Sequence, residues 1–197
     1  ARVRRQREDP LAVGGPLEYL PLDRWRAQFD VNVLGQVAVT KAALPLLRRG
    51  QGRVVFIGSN SGRVAAPLMG PYCASKFAIE GLADSLRREL FGSGVEVVLI
   101  EPGGVKTPIW AKGRSRADQL EAGLPDEARE RYRTLLAAVR KGIDDQQRNG
   151  VTADKVAAAV MMALTAKRPR ARYQVGRDVK VNVMMARVLP SRALDAV

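Results

Sequence analysis

From Leu22 onward, apolar residues return at spacings of three, four and seven: Trp25, Phe29, Val33, Val37, Leu44 and Leu47. This spacing predicts one long helix over residues 22–49 with a single apolar face. Asp23 stands in its first turn, where a carboxylate favours the helix dipole. Pro45 is expected to kink the helix near its end, and Gly50 to close it. Two short apolar runs follow, Val54–Ile57 and Val95–Ile100, β-branched and bounded by glycine. Both read as parallel strands buried on two faces. Between them, Ala78, Leu82, Leu86 and Leu90 recur every four residues and predict a helix over 71–91. Strand, helix and strand at this spacing make a βαβ unit with a right-handed crossover. Residues 107–150 are polar and charged, and predict mobile helices over a site. A further helix over 153–166, a short strand over 172–175 and a tail complete the pattern. It describes one α/β domain without internal repeats.

Composition narrows the chemistry. At 197 residues the chain is long enough to bury a core without a disulfide or metal staple. Cys73 is the single cysteine and there is no histidine. Ser-His-Asp hydrolysis, Cys-His nucleophiles and ordinary zinc catalysis are thereby excluded, and no metal is expected. Proton chemistry falls to Tyr, Lys, Asp, Glu or Cys73. The longest apolar run, 156–166, is too short to span a bilayer. No signal peptide is legible at the charged start, so a cytoplasmic location is expected. The net charge of +13 comes from 33 basic and 20 acidic residues. The basic residues are scattered and few aromatics interleave, so compositional bias outweighs a nucleic-acid stripe. A basic nucleic-acid-binding module ranks third among the readings, with salt-sensitive affinity as its signature.

The first predicted strand ends in Gly58-Ser59-Asn60-Ser61-Gly62, where ligands bind in open parallel sheets. Thirteen residues beyond Ser59 comes Tyr72, and four further Lys76. That i, i+4 spacing puts phenol and ammonium on one helix face. A nearby cation lowers a tyrosine pKa, which suits Tyr72 as a general acid or base. The second strand ends in Pro102-Gly103-Gly104, with Thr107 shortly beyond. Its missing donor and side chains let a flat ring approach the backbone.

Ser59, the Tyr72-x-x-x-Lys76 pair and Pro102-Gly103 together resemble the short-chain dehydrogenase/reductase family in its classical branch. Asn32, in Val31-Asn32-Val33-Leu34-Gly35, matches the family's fourth catalytic residue. The match runs from about residue 12 to 107 in order and spacing, and more loosely beyond. The resemblance implies an NAD(P)-dependent oxidoreductase acting on an alcohol or ketone. Tyr72 would exchange the substrate proton, and Ser59 would hold the carbonyl oxygen. Lys76 would bind the nicotinamide ribose and lower the Tyr72 pKa, and Asn32 would hold a relay water. Pro102, Gly103, Val105 and Thr107 would join Tyr72 and Lys76 in holding the cofactor, NAD or NADP. The stretch from Tyr72 to Gly81 is similar to hydroxysteroid and retinol dehydrogenase-like members, implying a lipophilic substrate. A homodimer or homotetramer through helices 22–49 and 71–91 is implied as well.

Bland readings stand beside these. Ser61 rivals Ser59 but lacks the thirteen-residue offset, and Thr107 also suits a helix N-cap before Pro108. Asn32 in mid-helix also reads as bonding locally, a reading second to its functional role. Cys73 reads as a small packed residue, Met161 and Met162 as core, and Trp110 as pocket or core.

The sequence departs from the family at its start. The family's first strand and glycine-rich pyrophosphate turn are missing: Gly50-Gln51-Gly52 precedes a strand, with Val55 where a third glycine belongs. No Asn-Asn-Ala-Gly stretch stands near Arg7–Pro10. The expected fold is therefore α/β, a Rossmann-like three-layer parallel sheet lacking most of its N-terminal dinucleotide-binding half. Residues 1–10 are expected to be a non-homologous arginine-rich lead, from a truncated or frame-shifted gene product. Residues 11–197 would form the C-terminal catalytic part, with 107–150 as the substrate-loop region. The first strand would then have an open apolar edge. The alternative function is a non-catalytic homologue that pairs with an intact dehydrogenase subunit.

Overall fold

The computed structural model describes residues 12–194, and the expected lead at 1–10 lies outside the described residues. Helix α1 (Leu22–Phe29) runs through a π-helical segment (Asp30–Leu34) into α2 (Gly35–Gly50). Strand β1 (Arg53–Ile57), helix α3 (Gly70–Glu89) and strand β2 (Glu96–Pro102) follow. A two-residue strand β3 (Val105–Lys106) leads into α4 (Ile109–Ala122) and α5 (Asp126–Asn149). Then come β4 (Val151–Thr152), α6 (Ala153–Thr165), β5 (Arg172–Val175), α7 (Arg177–Val188) and α8 (Ser191–Leu194).

The sheet has the order β1-β2-β5, all parallel, with Arg53 opposite Glu96 and Leu99 opposite Arg172. Because β2 lies in the middle, both of its faces are covered. Val97 and Leu99 pack into one core with Phe56, Ile79, Ala83 and Leu86, under α2 and α3. Val98 and Ile100 point the other way, toward Ala163 of α6 and Val175. This explains why the run is apolar rather than alternating, and it yields the expected three layers. Among the described residues β1 has a neighbour on one side only, and Ile57 at its end is exposed. Arg53 donates to the carbonyls of Ala163 and Ala166, capping the end of α6 with a cation. No helix among the described residues is long and apolar enough to cross a membrane.

Several expectations need correction. The residues after 176 are not a tail: α7 buries Val179 and Val183 against the domain. Met161 and Met162 are exposed rather than core, since α6 turns Val156, Val160 and Ala163 to the sheet instead. The long first helix is interrupted by the π segment. The left-handed residue that stops α2 is Gln51 at φ 46°, one position past Gly50.

The layers are tied together by one cation. Arg172 of β5 donates to Glu101 of β2 (3.0 Å), to Asp84 of α3 (2.9 Å) and to Glu80 of α3 (2.8 Å). Glu80 also meets Arg63 at 3.4 Å, and Asp84 meets Arg87 at 3.0 Å. Glu101 has no exposed surface, and one buried oxygen on each of Glu80 and Glu101 has no partner among the described residues. Burial raises the Glu80 pKa and so does the neighbouring Glu101, against the lowering pull of Arg172. Removing the shared cation would leave Glu101 buried without a counter-charge, and Glu80 and Asp84 with only Arg63 and Arg87.

Arg172→Met is expected to lower unfolding stability by about 3 kcal/mol, read from urea denaturation at neutral pH. An unchanged denaturation midpoint would refute the clamp. Its ion pairs also hold Asp84 down, from 3.8 to about 2, chiefly through the Arg172 hydrogen bond. A depressed carboxylate stabilises the fold above its unfolded pKa and loses that contribution as pH falls through the folded value. Asp84 should thus cost stability between about pH 4 and pH 2, and Asp84→Asn should flatten that part of the curve.

Candidate active site at the carboxyl ends of β1 and β2

Strand β1 ends at Ile57, and the Gly58 N–H donates to the Ile100 carbonyl (2.8 Å), carrying the ladder one residue further. The chain then turns through Ser59, whose hydroxyl accepts from the Ser61 N–H at 3.1 Å. At Gly62 the turn comes against α3: a Cβ there would stand 2.8 Å from the Lys76 carbonyl oxygen. Such closeness between backbones needs glycine, and it sets Ser59 over the start of α3. Pro71 opens that helix in its first turn, where a missing N–H costs nothing. Tyr72 follows, and its hydroxyl hydrogen-bonds the Ser59 side chain. Of the two serines, Ser59 is thus the one brought to the phenol, while Ser61 serves it through its backbone.

Lys76 lies on the same face one turn on, as its spacing predicts. Its ammonium stands 5.7 Å from the centre of the Tyr72 ring and donates to the Ile57 carbonyl at 3.2 Å. It meets the face of the phenol rather than its oxygen. The sequence led us to expect a Tyr72 pKa lowered by this cation, and the geometry gives the opposite direction. Burial raises the Tyr72 pKa and the Ser59 hydrogen bond offsets part of the rise. Burial also lowers the Lys76 pKa.

Asn32 falls inside the π segment, which widens the hydrogen-bond ladder and leaves local groups to find other partners. Its carbonyl accepts from the Gln36 side chain (2.7 Å), and its side-chain amide donates to Ser75 (3.0 Å). Ser75 is fully buried and donates in turn to the Tyr72 carbonyl at 2.7 Å. Sequence reasoning missed Ser75; a serine at i+3 from Tyr72, on a buried helix face, was the available signal. Asn32 therefore reaches the backbone of the Tyr72 turn through Ser75, and reaches Lys76 through none of the described contacts. Cys73 is buried and accepts weakly from the Ala66 N–H, consistent with a packed residue.

Beyond β2, the Gly103 N–H donates to Val175 (3.0 Å) and the Gly104 carbonyl accepts from Val151 (2.8 Å). A Cβ on Gly103 would stand 2.5 Å from the Asp178 carboxylate, so the start of α7 occupies one side of this turn. Trp110 donates its indole N–H to the Val105 carbonyl at 2.6 Å, which pins the turn to α4. Thr107 precedes Pro108, the residue at the head of α4, and makes no side-chain cap. Pro102 and Val105 line an apolar groove of about 500 Å³ with Ile57, Val156, Val160 and Met161. A phenol, a hydroxyl and an ammonium thus gather on β1 and α3, and the apolar groove is linked to them through Ile57, whose carbonyl accepts from Lys76.

Comparison with known proteins bears on the family and the fold. Residues 11–118 match the short chain dehydrogenase family. Over 188 residues the chain is 37% identical to an NADPH-dependent 3-dehydrocapnine reductase of Ornithobacterium rhinotracheale, covering 93% of this chain and 64% of that protein. It is also 37% identical to retinol dehydrogenase 5 of Mus musculus over 193 residues, covering 93% and 59%. The chain thus spans about three fifths of the length of these relatives. Among solved structures, a short chain dehydrogenase/reductase from Burkholderia phymatum in complex with NAD shares the fold, at TM-score 0.69 and 24% identity. The likeness covers 88% of this chain and 61% of that one. A short chain dehydrogenase from Burkholderia cenocepacia in complex with NADP does so at TM-score 0.68 and 20% identity, covering 93% and 62%.

The Ser59 hydrogen bond makes a direct prediction. Ser59→Ala should raise the Tyr72 pKa further, because burial would act unopposed. Ultraviolet difference titration against Tyr72→Phe isolates this phenol from the other three tyrosines. An unshifted or lowered midpoint in Ser59→Ala would mean that the two hydroxyls do not interact.

Proposed function

Because the chain belongs to the short chain dehydrogenase family, we propose that it is the proton-transferring part of a nicotinamide-dependent oxidoreductase working between a ketone and an alcohol. The observation that carries this reading is the Ser59–Tyr72 hydrogen bond with Lys76 one helical turn away, its ammonium bonded to the carbonyl of Ile57, which also lines the groove of Pro102 and Val105. Burial keeps the Tyr72 phenol protonated at neutral pH, so it serves first as an acid. That suits the reducing direction: Ser59 holds the carbonyl oxygen, and Tyr72 gives its proton to that oxygen. The hydride to the carbonyl carbon would come from the nicotinamide, NADH or NADPH, when it is bound. Lys76 then restores charge balance near the phenolate, the form that a cation favours. Asn32 acts on this site through Ser75 and the Tyr72 carbonyl.

The residues present fit the nicotinamide end of the cofactor. The groove is lined by Ile57, Pro102, Val105 and the apolar side of α6, an apolar surface suited to an aromatic ring. Lys76 and Thr107 supply the polar groups toward the ribose and carboxamide. A lipophilic carbonyl compound, a steroid-like ketone or a retinal-like aldehyde, is the proposed substrate class, supported by the likeness to a protein named retinol dehydrogenase. Pairing of two copies through the π segment, α2 and α3 is proposed with it, since Val31, Leu34, Val39, Leu46 and Phe77 leave large apolar side chains uncovered on those elements.

Titration with NADH and NADPH, followed by nicotinamide fluorescence, tests the reading. Saturable binding is expected, weakened at least about tenfold by Lys76→Ala. With all-trans retinal as acceptor, Tyr72→Phe should cut turnover by about a hundredfold or more while leaving cofactor binding in place. A folded protein that binds neither cofactor would overturn the proposal. The alternative, a non-catalytic partner of an intact subunit, would then be sought by co-purification.

A further inference from the structure

Helix α7 has one face in the domain and another that nothing described covers. Val179 and Val183 are fully buried. On the opposite side Val181 is 51% exposed, Met184 61% and Val188 75%. At 100° per residue, these three share about a third of the helix circumference with Arg177, Lys180 and Arg187. That arc contains no acidic residue. Arg177 and Lys180 continue into an open cleft of about 1100 Å³ between α6, β5 and α7. Lys155, Arg170 and the exposed Met162 line the same cleft.

The two carboxylates at this cleft are turned to other groups. Asp145 pairs with Arg148 at 2.9 Å, and Asp178 lies against the backbone of Gly103 and Gly176. None of Lys155, Arg170, Arg177, Lys180 or Arg187 makes an ion pair among the described residues. The face therefore combines protruding methionine and valine side chains with cations that lack counter-charges. A protein partner matched to it would need carboxylates interleaved with apolar side chains. An anionic bilayer presents a layer of negative charge above an apolar layer, the same order as these side chains. Valine and methionine would enter the acyl boundary while the longer lysine and arginine chains reach back to the headgroups. At 12 residues α7 is about 18 Å long, too short to cross and suited to lie in the interface plane.

We infer that the outer face of α7, with the cleft mouth formed by Lys155 and Arg170, docks on the surface of membranes rich in anionic lipid. This surface is separate from Tyr72 and stands independently of the proposed catalysis. Sedimentation with vesicles tests it, comparing phosphatidylcholine alone with phosphatidylcholine containing a third phosphatidylglycerol. Binding is expected only to the anionic vesicles and should weaken with salt. A cation near such a surface strengthens binding about fivefold. Lys180→Glu/Arg187→Glu should thus reduce affinity at least about twentyfold, and Met184→Glu should reduce it as well. Because the whole chain carries +13, the decisive control is Lys112→Glu/Lys141→Glu, which makes the same charge change on α4 and α5. An equal loss in that control would show non-specific attraction and overturn the inference, as would equal binding to phosphatidylcholine alone. A dimer in solution that Met184→Glu dissolves, without vesicle binding, would assign the face to a second copy instead. Circular dichroism of each variant separates loss of binding from loss of fold.

Discussion

A single guanidinium holds the working parts of this domain in register. Arg172 reaches from the last strand to the central strand at Glu101 and to α3 at Glu80 and Asp84. Glu101 is the residue before Pro102-Gly103, and Glu80 is one turn beyond Lys76. Arg63, four residues after Ser59, joins the same cluster through Glu80. The turn beside the apolar groove, the helix bearing Tyr72 and Lys76, and the serine turn are thus fastened to one charge. Coulomb attraction in a desolvated setting is strong enough to specify such an arrangement, and the desolvation of the partners makes it costly to break. Arg172 touches none of the proposed catalytic groups, and its influence on them passes entirely through position.

A second chain of contacts fixes the tyrosine from the other side. The π segment places Asn32 against Ser75, and Ser75 against the Tyr72 carbonyl. Together with the close approach of Gly62 to the Lys76 carbonyl, it confines the first two turns of α3 between the serine turn and the long helix. The phenol is thereby held by backbone packing before any ligand arrives. Its raised pKa follows from the same confinement: a site dry enough to orient a hydroxyl also disfavours its anion.

Much of this was legible in the amino-acid order. The two apolar runs became β1 and β2, and the intervening periodicity became α3. Ser59 and Tyr72 met as their offset and elements implied. Local spacing carries that information, because strand and helix periods are local properties. The ionic cluster was not legible for the converse reason. Arg172 lies 71 residues from Glu101 and 92 from Glu80, and each reads alone as a solvated charge. The π segment left no trace in the three-, four- and seven-residue spacing, since one extra residue in a turn shifts a broad apolar face only slightly. Residues 177–188 read as a tail because half of that helix remains uncovered, which weakens the apolar contrast. Lys76 was misjudged in orientation: an i, i+4 pair shares a face, yet the side-chain rotamers decide whether the ammonium meets the oxygen or the ring.

The short β3–β4 ladder has a consequence of its own. Val105 and Lys106 pair with Val151 and Thr152, so the α4–α5 excursion between them leaves and returns at one point. It is a loop whose mouth is stitched shut by the sheet. The entropy of closing such a loop grows only with the logarithm of its length, about 0.6 kcal/mol per doubling. Insertions, deletions or wholesale replacement between 107 and 150 need not be transmitted to β2 or α6 on either side. The architecture separates the sheet from a cover that closes on itself, so a change of length in the cover leaves the strand ends where they are.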